Sequence, residues 1–155
     1  MPTIFPAQTT DDFEIAKQLL IEYADSLGFD LCFQDFDKEL ANLSIDYAPP
    51  QGCFLLAEDN NQPAGCVALN HFDKGICEMK RLYVKKPFRR KGIGRALAQT
   101  IIDQARLLDY HCMRLDMVLP RDPAQTLYIS LGFKQIPPYR HNPLAGAYFM
   151  ELTLQ

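Results

Sequence analysis

The chain has 155 residues, 48% of them apolar and 23% charged, with a net charge of −3. That length suits one domain over residues 1–155, able to bury about 68–70% of the surface its unfolded chain exposes without a disulfide or metal staple. The mildly acidic balance excludes a general nucleic-acid binder with a broad basic face, and no apolar run reaches the roughly eighteen residues of a membrane span.

Residues 3–6 read as a short first strand. TTDDFEIAKQLLIEYADSLGF then reads as a helix, with Thr10 or Asp11 as cap, acids in its first turn and Gly28 at its end. Phe13, Ile15, Ala16, Leu19, Leu20, Tyr23 and Leu27 follow helical spacing. A second, shorter helix is expected over residues 34–43, and YAPPQG is a loop. CFLLAED and PAGCVALNHF flank DNNQ as a hairpin, and ICEMKRLYV continues as a third strand.

The pattern in GIGRALAQTIIDQARLL predicts a helix, CMRLDMVL a strand. DPAQTLYISLGF predicts a short helix with Asp122 as cap, Pro123 at its first position and Gly132 past its end. AYFMELTL closes the chain as a strand, and a further strand is expected within residues 133–139. The order βααβββαβαβ is that of an α/β layered domain.

The cysteines are Cys32, Cys53, Cys66, Cys77 and Cys112, odd in number and without C-x-x-C spacing; His71, His111 and His141 are scattered. Reduced core cysteines in a cytoplasmic protein are expected, and no zinc site. The opening residues lack a basic segment and an apolar core, so no signal peptide is expected.

One stretch stands apart. Between Val84 and Gly92 lie seven residues, five of them basic, and a helix opens at once with Gly92 and Gly94. A helix N-terminus offers unpaired N–H groups and partial positive charge; glycine permits close approach, and lysine and arginine add attraction. This is the physical form of a pyrophosphate site, although a solvated basic turn would have the same composition. A Walker A string is absent. A Rossmann fingerprint would need a third glycine where Leu97 stands, although Asp116 lies where a ribose-binding acid could sit. A nicotinamide-binding oxidoreductase is therefore a distant alternative.

Arg89-x-x-Gly92-x-Gly94 between strand and helix resembles motif A of the Gcn5-related N-acetyltransferases (GNAT). Ala124, Leu127, Tyr128, Gly132 and Phe133 resemble that family's later A-x-x-L-Y-x-x-x-G-F motif. The resemblance runs along nearly the whole chain. It implies a mixed, mostly antiparallel sheet with helices on both faces. It also implies acetyl-coenzyme A as cosubstrate, its pyrophosphate on the amides of Arg89, Arg90, Lys91, Gly92, Ile93 and Gly94. Leu82, Tyr83 and Val84 would line the pantetheine arm, Leu82 and Val84 through backbone groups, and Arg90, Lys91 and Arg95 would reach phosphates. Many family members carry an Asn that helps hold the cofactor where this chain has Arg121, a departure from the pattern; the readings of Arg121 are a phosphate contact in its place or a solvated charge.

Acetyl transfer to an amine needs its neutral form, which at a pKa of about 10.4 is only about one molecule in a few thousand at pH 7. A general base is useful, and an acid for the leaving thiolate. By resemblance Glu78, eleven positions before Arg89, is the base, and Tyr128 is the acid. Their structural alternatives are an ion pair of Glu78 with Lys80 or Arg81, and simple core packing of Tyr128. Acceptor residues are expected in SLGFDLCFQDF, with Phe29 and Phe33, and in PPYRHNPLAG, with Arg140. Aromatics with acids suit an amine, and an arginine suits a carboxylate. The expected activity is N-acetylation of a small primary amine; the alternative is a non-catalytic acyl-coenzyme A-binding or regulatory module. Neither nucleic acid nor membrane is an expected partner, and a homodimer is left open.

Overall fold

The computed structural model describes residues 2–27, 36–118, 124–142 and 146–155. Its seven strands are β1 (Thr3–Pro6), β2 (Cys53–Asp59), β3 (Gln62–Asp73), β4 (Ile76–Val84), β5 (Cys112–Val118), β6 (Lys134–Ile136) and β7 (Ala147–Thr153). The helices are α1 (Thr10–Leu27), α2 (Phe36–Ala41), α3 (Leu43–Asp46), α4 (Ile93–Leu107) and α5 (Gln125–Ser130). The strands form one sheet in the order β1-β2-β3-β4-β5-β7-β6. All neighbours are antiparallel except β4 and β5.

The element order is the expected one, including the further strand near the C-terminus, which is β6, with two adjustments. The second helix divides at Asn42, whose side chain donates back to the Lys38 carbonyl at 3.0 Å. The cap of α1 is Thr9, one residue earlier than expected. Its Oγ1 accepts from the Asp12 N–H at 3.0 Å, and the Asp12 carboxylate accepts from the Thr9 N–H at 3.1 Å, a reciprocal capping box. Gly28, Asp122 and Pro123, expected at helix ends, lie outside the described residues.

Each face of the sheet carries its own apolar layer. On one, α4 buries Ile93, Leu97, Ala98, Ile101, Ile102 and Ala105, a stripe at helical spacing, against Leu55, Val67, Leu69, Met79, Met113 and Leu115. Fully burying each leucine or isoleucine of that stripe contributes about 1.5–3 kcal/mol. On the other face α1 and the short helices pack Ala16, Leu19, Leu20, Phe36 and Leu43 against Phe54, Leu56, Cys66 and Ala68.

Two irregularities of β4 create space for a site. The first is a bulge. Cys66 pairs with Tyr83 but Ala68 with Lys80, so β4 has one residue too many there. Arg81 takes it up, with φ of +62°. Cys77 and Met79 face the α4 layer before the bulge, and Leu82 and Val84 after it. The second is a parting of strands. β4 pairs with β5 only at Ile76, Cys77 and Glu78. From Met79 onward β4 keeps β3 on one edge and has no described strand on the other.

Candidate active site

The candidate site lies along β4 where its pairing with β5 ends at Glu78. One end is the N-terminus of α4, to which the strand runs, and the other is Glu78 itself, which faces the α1 side of the sheet.

At the first end Lys86–Phe88 form a 3-10 turn, and Gly92 caps α4 with φ of +80°. That left-handed angle is natural to glycine and strained for other residues. A Cβ built on Gly92 would meet nothing within 4 Å, so the helix end is open. The first hydrogen bond within α4 runs from the Ala96 N–H to the Gly92 carbonyl at 3.0 Å. The amides of Ile93, Gly94 and Arg95 precede it and have no intrahelical acceptor. The residues present fit a bound pyrophosphate.

The basic side chains there are used unequally. Arg89 Nε donates to the Val84 carbonyl at 2.9 Å and its guanidinium lies 5.8 Å from the Tyr83 ring, which pins the loop onto the end of β4. Lys91 pairs with Asp59 at 3.4 Å, and Arg95 Nη2 donates to Ser130 Oγ at 2.7 Å. Arg90 is exposed, at φ of +66°, and has no hydrogen bond or ion pair within the described residues. Ile93 points its side chain into the core, so only its backbone faces the opening. Tyr83 faces α1, where its Oη donates to Glu22 at 2.6 Å. Burial and that carboxylate push its phenol up to about 12. Leu82 and Val84 pack on the α4 layer.

At the other end Glu78 is 3% exposed. Its Oε2 accepts from Tyr139 Oη at 2.8 Å and also from Arg140 Nη2. Tyr139 is held edge-on between Phe72 at 5.0 Å and Phe149 at 5.1 Å. Burial, then the charge of Glu78, pushes its phenol well above the ordinary range. Asp116 faces the same cluster from β5. Burial raises its carboxyl, Glu78 adds to the rise, and Arg140 opposes it. Asn142 Nδ2 lies 3.4 Å from its Oδ2. Beside them Arg114 donates to Glu151 at 2.7 Å.

Lys80 and Arg81 do not pair with Glu78; both turn to Glu39 of α2. Burial pushes the Glu39 carboxyl up, but the hydrogen bonds and charge of Arg81, with Lys80, hold it below its ordinary value. Tyr128 is buried beside α4, its ring 5.6 Å from Phe133. Phe29, Phe33 and Arg121 lie outside the described residues.

Comparison with known proteins agrees with this architecture. The family model for the acetyltransferase (GNAT) family matches residues 15–133. An uncharacterized N-acetyltransferase of Schizosaccharomyces pombe is 44% identical over 149 residues, 95% of this chain and 90% of that one. The N-acetylaspartate synthetase of Danio rerio is 34% identical over 100 residues, 63% of this chain but only 36% of that longer protein. A solved GNAT-family acetyltransferase from Staphylococcus aureus covers both chains completely with a TM-score of 0.83 at 21% identity, a likeness of fold. Motif, sheet, parted strands and relatives agree: the chain belongs to the GNAT family and is an N-acetyltransferase.

Proposed function

We propose that this protein moves the acetyl group of acetyl-coenzyme A to the primary amine of a small acceptor that also carries a carboxylate. The observation that carries this reading is the contact of Glu78 with Arg140. A buried carboxylate and a guanidinium side by side are complementary to the ammonium and carboxylate of an amino acid. The similarity to an N-acetylaspartate synthetase supports the same acceptor class.

Acetyl-coenzyme A supplies the acetyl group as a thioester. The amides of Ile93, Gly94 and Arg95, with Arg90, hold its pyrophosphate, and the unpaired edge of β4 near Leu82 receives the pantetheine arm. Arg89 and Lys91 fix the loop through Val84 and Asp59. Glu78 receives the proton that the amine loses as the N–C bond forms. Tyr128 gives its phenolic proton to the sulfur as the C–S bond breaks. An acceptor bound as its ammonium first loses one proton to solvent by way of Glu78, and the second goes to Glu78 as the N–C bond forms. Tyr128 supplies one to the thiolate, and after both groups re-equilibrate with solvent one proton net is released. The free cysteines Cys53, Cys66, Cys77 and Cys112 suit a reducing, cytoplasmic setting.

The test is acetyl transfer measured on a panel of amino acids, polyamines and lysine peptides, with wild type and Glu78→Gln. Amino acids are the preferred acceptors. Glu78→Gln lowers their turnover about a hundredfold near neutrality, and its rate recovers as rising pH deprotonates the amine without help. A preference for polyamines or peptides would reject the acceptor class, and an unchanged pH profile would reject the base.

A further inference from the structure

Two arginines on the α1 face of the sheet are paired with buried glutamates, and the pairs are built differently. Arg81 meets Glu39 side-on, Nε to Oε2 at 3.0 Å and Nη2 to Oε1 at 2.9 Å. Both carboxylate oxygens and both facing donors are used, and the Arg81 side chain is 3% exposed. Arg140 meets Glu78 through Nη2 alone, on the oxygen that already accepts from Tyr139. Among the described residues its buried Nε has no hydrogen-bond partner. Yet the Arg140 side chain is 29% exposed, so a ligand can reach it.

An orphaned buried donor is costly, and a side-on carboxylate would satisfy Nε and Nη2 together, as Glu39 does for Arg81. The Arg81 pair is complete and closed to solvent. The Arg140 pair is incomplete and open, and it occupies the group needed as base. The Arg140 guanidinium rests 5.4 Å from the Phe72 ring and 5.2 Å from the Tyr139 ring, rings that Arg114 also faces at 5.8 and 5.2 Å, so aromatic surface supports the cation apart from its contact with Glu78.

We propose that Arg140 is an exchangeable latch on Glu78: the carboxylate of the acceptor takes Arg140 side-on and so frees Glu78 for the acceptor's amine. This rests on the reading of Glu78 as base and of the acceptor as an amino acid. The exchange conserves charge. The acceptor's carboxylate replaces Glu78 on the guanidinium, and its ammonium replaces the guanidinium on Glu78. Selection then lies in the availability of the base as well as in binding. An amine without a carboxylate reaches the site but leaves Glu78 occupied.

The experiment compares aspartate, n-propylamine, and n-propylamine with propionate supplied separately, using wild type, Arg140→Gln and Glu78→Gln. Wild type acetylates aspartate, acetylates n-propylamine poorly, and is stimulated on n-propylamine by propionate. Arg140→Gln acetylates n-propylamine about tenfold or more faster than wild type, since a freed base is worth at least that. It ignores propionate and has a raised KM for aspartate. If Arg140→Gln gains nothing on n-propylamine while Glu78→Gln still loses aspartate turnover, the base stands and the latch is wrong. Should Arg140→Gln fail to fold, the propionate arm decides on wild type alone, and absence of stimulation rejects the latch. Full aspartate turnover by Glu78→Gln, or none by wild type, removes the underlying reading and the latch with it.

Discussion

Tyr128 carries an observed packing role and a proposed chemical one at the same position. Its ring belongs to the α4-side layer and packs on Phe133, while the family motif around it assigns its hydroxyl to the leaving sulfur. Tyr128→Phe separates the two, since it keeps the ring and removes only the oxygen. If the phenol protonates the thiolate, the loss falls on a transition-state interaction, so kcat drops about 10–100-fold while cosubstrate affinity stays within about twofold. Single-turnover rates with chemistry limiting check this, and equal rates would return Tyr128 to packing alone. Glu78 shows the limit of reading residues by their neighbours. Lys80 and Arg81 are its sequence neighbours and natural partners, yet both turn to Glu39, some forty positions away. Its actual partners, Tyr139 and Arg140, come from the far end of the chain. Residue types in that loop hinted at an acceptor site; only the parting of the strands and the antiparallel return of β7 bring the loop onto β4.

At the scale of elements, the periodic segments were legible because burial imposes the period. The α4 stripe and the hairpin of β2 and β3 follow directly from it. The bulge in β4 was also written in CEMKRLYV, as apolar residues at odd positions before Lys80 and even ones after Arg81, although it takes the register to recognise the change. The splitting of the second helix and the shift of the α1 cap to Thr9 are one- or two-residue matters decided by local hydrogen bonds. The bulge aims Arg81 at Glu39 and so ties α2 to the sheet beside the candidate site. Removing Glu39 strands a buried cation, which costs about 3–5 kcal/mol. The pH dependence has a definite sign. The folded Glu39 carboxyl lies below its ordinary value of 4.5, so its stabilisation is complete above that value and is lost as pH falls through the lower folded one. Urea unfolding of wild type and Glu39→Ala should therefore show a gap at pH 7 that narrows below pH 4.5. A gap constant down to pH 3 would show that the carboxylate's charge contributes nothing to the pair.

For the molecule as a whole, the described sheet consists of two parts joined at a short seam. β1 to β4 form one part and β5, β7 and β6 the other, and only Ile76, Cys77 and Glu78 of β4 pair across to β5. Beyond that seam α4 packs mainly on the β1 to β4 part, and its apolar stripe shares one buried cluster with residues of β5 and β7. Among the described residues no helix is long and apolar enough to cross a membrane. On the proposed reading the cosubstrate lies along the free edge of β4 with its pyrophosphate at the α4 N-terminus, and a ligand that binds only the folded state adds its binding energy to stability. At a concentration one hundred times Kd the gain is about 2.7 kcal/mol. For a domain of this size each kcal/mol raises Tm by roughly 2–4 °C, so acetyl-coenzyme A should raise it by about 5–10 °C. Gly92→Val tests where that energy enters. Its φ of +80° strains any valine, so the variant melts lower even without ligand. The informative quantity is the ligand-induced shift within each protein. A valine side chain projecting into the open space at the helix end obstructs the pyrophosphate, so the shift in Gly92→Val should fall to near zero at the same ligand concentration. Hydrogen exchange in wild type should slow on binding at β4 after the bulge and at the first turn of α4. An equal thermal shift in both proteins would place the cosubstrate somewhere other than the α4 N-terminus.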